Sequence, residues 1–173
     1  MPLPSPSLLR RLLIAAILLA CAVLALHWRP GRQVRLHQQH LQEAVENRNW
    51  KKVAGFVAEN YSDSWGQSKA IAMQRLPDAF QDFIACGVLA EGASLEWKNG
   101  ACAFKARIHI VGSGGPLSQL VIQEMDNLRQ PFEFQWRRQS WKPWDWALAG
   151  VSQPEIPVLK VEQLDQLNAP PIP

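Results

Sequence analysis

Few residues in this chain combine a reactive group with a spacing that chemistry could use. Tyr61 is the only tyrosine. It opens the loop-like run Tyr61-Ser62-Asp63-Ser64-Trp65-Gly66, where its hydroxyl is expected to pack near Asp63. His37 and His40 are three apart at helical spacing, but no carboxylate nearby completes a metal set. His109 alternates with Lys105 and Arg107, so it falls on the polar face of a strand and away from Phe104, Ala106 and Ile108. Asp145 lies between Trp144 and Trp146. An aromatic setting can raise a carboxyl pKa and suit it to acid–base work, yet alternation points Asp145 away from both indoles. Asp78 and Asp82 sit at i,i+4, off the stripe of Ala79, Phe80 and Phe83, and are expected in solvent. Gly112-Ser113-Gly114-Gly115-Pro116 lacks the Lys-Ser/Thr of a phosphate-binding loop and is expected to be a turn that ends a strand. The three cysteines, Cys21, Cys86 and Cys102, form no CxxC. No catalytic residue, no metal site and no cofactor is assigned.

The aromatic residues carry more information. Pro131–Ser152 holds four of the eight tryptophans. Phe132, Phe134 and Trp136 alternate with polar residues, as do Trp144, Trp146 and Leu148 after a turn expected near Gln139–Ser140. Folding there pairs Trp136 with Trp144, Phe134 with Trp146 and Phe132 with Leu148. Just upstream, Asn99-Gly100 is a strong hairpin signal. It pairs Trp97 with Cys102, Leu95 with Phe104 and Ala93 with Ala106. Trp97, Phe104, Phe132, Phe134, Trp136, Trp144 and Trp146 then form one aromatic wall. That wall is either a packed core or a pocket for a small hydrophobic ligand. This register keeps Cys86 and Cys102 apart as free, buried thiols.

These strands need cover, and the N-terminal half supplies it. A helix is expected from Val34 to Asn47, with Val34, Leu41, Ala44 and Val45 on its stripe. A second, capped by Asn49, runs from Trp50 to Asn60. A third runs from Ser68 to Ile84, with Pro77 kinking it or starting a new turn. A short helix around Leu117–Leu128 precedes the last hairpin.

Leu12–Leu26 is an unbroken run of fifteen apolar residues between Arg10-Arg11 and Trp28-Arg29. Residues 12–28 are expected to be a membrane anchor, contacting lipid, after a short tail (residues 1–11) and before a basic linker (29–35). A cleaved signal peptide, with Ala20-Cys21-Ala22 as its small-x-small site, is the alternative. The lipoprotein form, with Leu18-Leu19-Ala20 before Cys21, fits less well because the apolar run continues past the cysteine. The charge balance agrees with a membrane partner. Residues 1–35 carry five arginines and no acid, whereas the remainder has 13 basic and 15 acidic residues. A net-negative domain has no footprint for nucleic acid. Export of the domain is favoured. A proline-rich tail, residues 153–173, is expected to dock partly through Ile156, Val158, Leu159, Val161 and Leu164.

The order of elements gives an α+β class: three helices packed on a curved antiparallel sheet, cone-like, after one transmembrane helix. Three stretches resemble the nuclear transport factor 2-like superfamily, which includes polyketide cyclase-like and ketosteroid isomerase-like proteins. They are Ala44-Val45-Glu46-Asn47-Arg48-Asn49-Trp50, Val57 to Gly66, and the final hairpin through Trp144-Asp145-Trp146-Ala147-Leu148. The resemblance covers residues 36–152. It implies a cone whose enzymes place acids, bases, a tyrosine or a histidine inside, groups in which this chain is poor. It also implies association through the outer sheet face, making Lys105, Arg107 and His109 a candidate homodimer or partner surface. The expected function is a membrane-anchored, non-catalytic ligand-binding or protein-interaction module. The alternative is a small-molecule isomerase, dehydratase or cyclase.

Overall fold

The computed structural model describes residues 6–156. Helix α1 (Pro6–His27) leads into α2 (Pro30–Glu46), α3 (Trp50–Phe56) and α4 (Lys69–Phe80). Strands β1 (Phe83–Lys98) and β2 (Ala101–Gly114) follow, then α5 (Pro116–Asn127), β3 (Phe132–Arg138) and β4 (Trp146–Ser152). The four strands make one antiparallel sheet in the order β1-β2-β3-β4.

The helical layer forms where local signals agree. Pro30 stands in the first turn of α2, where its missing N–H costs nothing. The helix buries Val34, Leu41 and Ala44, and with them Gln33 and Gln38. Arg48 ends the turn that follows at a φ of 52°, in the left-handed region, and its guanidinium donates to the Phe83 carbonyl. Asn49 then caps α3 as expected, its side chain accepting from Lys52 N at 3.0 Å. Helix α3 stops at Phe56 rather than Asn60, because the chain turns to run beside β4. Ala58 N, Ser62 N and Ser64 N donate to the carbonyls of Leu148, Ala149 and Val151. That segment covers the edge of the sheet.

The expected third helix is α4, but it ends at Phe80, with Pro77 inside it. Residues 83–92, part of which were expected in that helix, are strand. Backbone anchors explain this: Phe83 pairs with Gly114, and Val88 N donates to Glu46 Oε1 at 2.6 Å. Asp82 is not a solvated carboxylate. It accepts from Ser118 N at 3.1 Å and caps α5, and an acceptor there satisfies an otherwise orphaned N–H. The glycine run is likewise no turn, because Gly112 and Gly114 belong to β2. A Cβ at either position would lie 2.1 Å from a backbone oxygen, of Ala85 or Asp82 respectively. The glycines permit close approach of β1.

The Asn99-Gly100 turn forms with positive φ at both residues, 50° and 75°. Trp97 pairs with Cys102 and Leu95 with Phe104, as expected. Ala93 does not pair with Ala106, because a bulge between Glu91 and Ser94 intervenes, with Gly92 at φ 63°. The last hairpin departs further. Trp136 faces Leu148, Phe134 faces Val151 and Arg138 faces Trp146. A loop replaces the expected tight turn, closed by Gln139 N to the Asp145 carbonyl at 2.9 Å. Pro143 sits within it and cannot donate to a ladder. Its carbonyl accepts from Trp146 Nε1 at 2.9 Å. Between Gln135 and Trp136 the register skips Ala149, a bulge that keeps Val151 on the same face as Leu148.

The core lies between α2, α3 and the sheet. It contains Val34, Leu41, Val53, Tyr61, Cys102, Phe104, Ile108, Phe132, Trp136, Trp146 and Leu148. Trp136 is 0% exposed, and its indole N–H donates to Gln38 Oε1 at 3.1 Å. Cys102 is buried and free, whereas Cys86 is free but only half-buried, since it lies on the edge strand.

Segment 12–28 is helical within α1 apart from its last residue. Among the described residues, however, no helix is long and apolar enough to cross a membrane. Fifteen helical residues rise about 22 Å, against roughly 30 Å of hydrocarbon. Of the five apolar residues expected to dock the tail, only Ile156 falls inside the described residues. Val158, Leu159, Val161 and Leu164 lie outside them.

Trp136→Ala is expected to lower stability by about 3–5 kcal/mol, as for other large-to-small changes in a core. Trp136→Phe keeps a ring but strands the Gln38 carbonyl, and should cost about 1–3 kcal/mol. Urea denaturation at constant slope measures both, and an unchanged midpoint for the alanine variant would remove Trp136 from the core.

Candidate functional site

The aromatic wall does not act as one surface. Phe104, Phe132, Trp136 and Trp146 are buried among one another and the helices. Phe134 is half-buried, with its ring 6.2 Å from Phe104 and 6.1 Å from Phe132. Trp97 lies at the rim, 49% exposed, edge-on to Trp146 at 5.9 Å. Trp144 is in the β3–β4 loop and off the sheet face, and touches Trp28 at 5.9 Å. The sequence alternation misplaced it because the loop, residues 139–145, runs longer than a hairpin turn and is centred farther along the chain.

On the inner side the polar groups are spent on structure. Tyr61 is buried, its hydroxyl 3.5 Å from Asp63 Oδ2. Burial, together with the Asp63 charge and hydrogen bond, pushes its pKa well above the ordinary value of 10.0. Asp63 itself accepts from Trp65 N at 3.0 Å and Gln67 N at 2.8 Å and fixes the loop. His37 stacks edge-on against Phe56 and Trp136, with Nδ1 2.8 Å from the Gln33 carbonyl. His40 is exposed. Burial holds the Cys102 thiol up at about 11, and burial also raises Cys86. These thiols and the phenol are therefore kept protonated at neutral pH, in the form that is a poor nucleophile. Among the described residues, no group of three or more His, Cys, Asp or Glu side chains is arranged to hold a metal.

The outer face of the sheet is different. Lys105, Glu133 and Ser152 are neighbours across β2, β3 and β4. Lys105 Nζ lies 2.6 Å from Glu96 Oε2 and 3.6 Å from Glu133 Oε2. The hydrogen bond to Glu96 raises the Lys105 pKa further, so it is a fixed cation and no base. Around this pair opens a hollow of about 540 Å³, lined also by Ser64, Gln130, Gln153 and Ile156. Its floor is rigid. Gln153 is 1% exposed and donates to the Gln130 carbonyl at 2.9 Å. Glu155 accepts from Arg129 N at 2.6 Å and Gln130 N at 2.9 Å, which lowers its pKa. Farther along β2, His109 Nδ1 lies 3.1 Å from Asp126 Oδ1, and Nε2 lies 3.6 Å from Glu91 Oε2. Arg107 is exposed beside them. Lys105, Arg107 and His109 thus share one face, with two of the three already paired to carboxylates.

Sequence reasoning missed the hollow and Gln38. The hollow joins residues from four separate stretches of chain, which no local pattern links. Gln38 did leave a signal, being a polar residue at i+4 from Val34 on an otherwise apolar stripe.

No family model and no curated protein matches the chain. Solved structures do resemble it. ActVI-ORFA from Streptomyces coelicolor superposes with a TM-score of 0.52 at 11% identity, over 69% of this chain and 92% of that one. A Streptomyces avermitilis protein of the NTF2-like family, proposed to be a dehydratase, gives 0.51 at 14% identity over 69% and 91%. Bd1075 from Bdellovibrio bacteriovorus gives 0.53 at 9% identity, over 70% of this chain. This chain spans 38% of the length of that protein. The likeness shows a cone-like NTF2-like α+β fold, here with five helices and a four-stranded antiparallel sheet among the described residues.

Ionisation of the buried groups predicts an alkaline weakness. In the unfolded chain Cys102 and Tyr61 ionise near 9.0 and 10.0, and in the fold only at higher pH. Above about pH 9 the unfolded chain sheds protons that the fold retains, so stability falls as pH rises, while below that pH the two groups contribute no slope. Cys102→Ala and Tyr61→Phe should each flatten the loss in denaturation midpoint between neutral and strongly alkaline buffer. A slope unchanged in both variants would contradict the burial of these groups.

Proposed function

We propose that this domain is a non-catalytic interaction module, held at a lipid surface by α1, whose working surface is the outer face of the sheet. The observation that carries this reading is how the two faces are filled. The inner face, where an NTF2-like enzyme would hold its substrate, is closed by Trp136 at 0% exposure, with its one polar atom bonded to Gln38. The outer face presents a polar hollow around Lys105 and Glu133. Self-association through Lys105, Arg107 and His109 is the partner reading that fits this face. Among the described residues Arg107 forms no ion pair, which leaves it able to meet a carboxylate of a second copy.

The lipid assignment is supported by α1. Leu12, Leu13, Ile14, Ile17, Leu18 and Leu19 are each about half exposed or more, and Val23, Leu24 and Leu26 continue the row. They occur on all sides of the helix, which suits an apolar solvent better than a single protein groove. Arg10 at one end and Arg29 and Arg32 at the other can reach headgroups while their stems stay apolar.

A dehydratase or cyclase remains the second reading, favoured by His109 and Asp126, which have the geometry of an oriented base. The pair lies on the outer face against α5, away from the cone interior.

Native mass spectrometry of the full chain, released from lipid nanodiscs, tests the proposal. The expected result is a dimer without a retained small molecule, converted to monomer by Arg107→Glu. A small molecule that co-purifies with the native chain and is lost in Trp136→Phe would overturn it in favour of an interior ligand site.

A further inference from the structure

The end of the sheet nearest α1 carries a second surface. The turn between β1 and β2 and the loop between β3 and β4 lie at this same end, because β1 and β3 finish where β2 and β4 begin. The chain leaving α1 arrives there too. Trp28 contacts Trp144, and Gly31 sits against Leu95 and Trp97. Four tryptophans crowd this end and remain open to solvent: Trp28 at 40%, Trp97 at 49%, Trp141 at 83% and Trp144 at 49%. Exposed indoles are costly in water and favourable at the boundary of headgroups and acyl chains.

The charge at this end is predominantly positive. Segments 28–35, 97–101 and 135–145 hold seven basic residues, Arg29, Arg32, Arg35, Lys98, Arg137, Arg138 and Lys142, against one acid, Asp145. All seven are exposed. Among the described residues none of them forms a salt bridge. Arg138 instead lies over the Trp146 ring at 5.3 Å. The domain after residue 35 is net negative, so a local field of this sign is a concentrated feature and no reflection of the mean.

We propose that these two loops and the start of α2 form a platform that seats the domain on an anionic phospholipid surface. The indoles enter the headgroup layer, and the guanidinium and ammonium groups pair with lipid phosphates. This deepens the lipid reading of α1 by naming the lipid charge and the part of the domain that meets it. It does not depend on α1 entering the bilayer.

The test uses the full chain with vesicles of phosphatidylcholine alone, or with one-third phosphatidylglycerol. Some preparations carry lipids brominated near the headgroup, which quench nearby tryptophans. Expected is stronger quenching on the anionic vesicles, lost in molar salt and in the triple variant Arg137→Glu, Arg138→Glu, Lys142→Glu. The variant Trp141→Phe, Trp144→Phe should remove about half or more of the quenched signal, since indoles at the interface dominate it. All three charges and both indoles are exposed, so an unchanged thermal midpoint certifies the fold. Flotation on neutral vesicles with quenching that ignores lipid charge and the charge reversal would overturn the platform while leaving α1 as the anchor. Flotation on anionic vesicles alone, abolished by the triple variant, would support the platform and sink the α1 reading. Failure to float on either vesicle overturns both.

Discussion

The fold depends on burying Trp136. An indole is too large to cover with one helix and carries an N–H that must be satisfied once water is gone. The structure meets both demands with α2. Val34 and Leu41 cover the sheet, and Gln38 supplies the acceptor from the same helical stripe. This single bond joins residues 98 positions apart. It therefore fixes the angle at which the helical layer meets the β2–β3 pair. The bulge at Ala149 and the segment that runs beside β4 then follow, because Leu148 must stay on the inner face while the edge is covered by Ala58 to Ser64. Closed this way, the inner face is filled by packed side chains, and the hollow around Lys105 and Glu133 opens on the opposite face.

What could be read from the sequence was what local physics decides. Asn99-Gly100 fixed its own turn, since both residues tolerate positive φ and neighbouring alternation agreed with the register. Asn49 declared a helix start because its side chain can accept from a backbone N–H that the first turn leaves unpaired. The failures share a cause, which is that distant groups overrode local pattern. β1 is an edge strand whose exposed Ile84 and Leu89 break the alternation that would have revealed it. Asp82 and the glycines of β2 make sense only once the α4–β1 junction lies against the end of β2. The β3–β4 register was read from six apolar side chains, although Pro143 and the indole bond to its carbonyl favour a wider loop. The site was less legible than the fold, because Ser64, Lys105, Gln130, Glu133 and Gln153 meet only in three dimensions.

The two ends of the sheet are chemically unlike, and this asymmetry bears on how the parts work together. At the end where α1 arrives, exposed indoles stand with seven cations against one acid, Asp145. At the other end, Glu155 and Gln153 fasten the chain to the α5–β3 connection, and Lys105 is held between the carboxylates of Glu96 and Glu133. Along β3, Glu133 stands five residues from Arg138, a rise of about 17 Å. A domain seated by its cationic end would thus hold the hollow more than a Debye length from the lipid phosphates, where their field is largely screened. A partner could then be read by the local chemistry of Lys105 and Glu133, undisturbed by membrane charge. Placing the hollow inside the cone mouth, beside Trp97 and Trp146, would have set it against the headgroups instead.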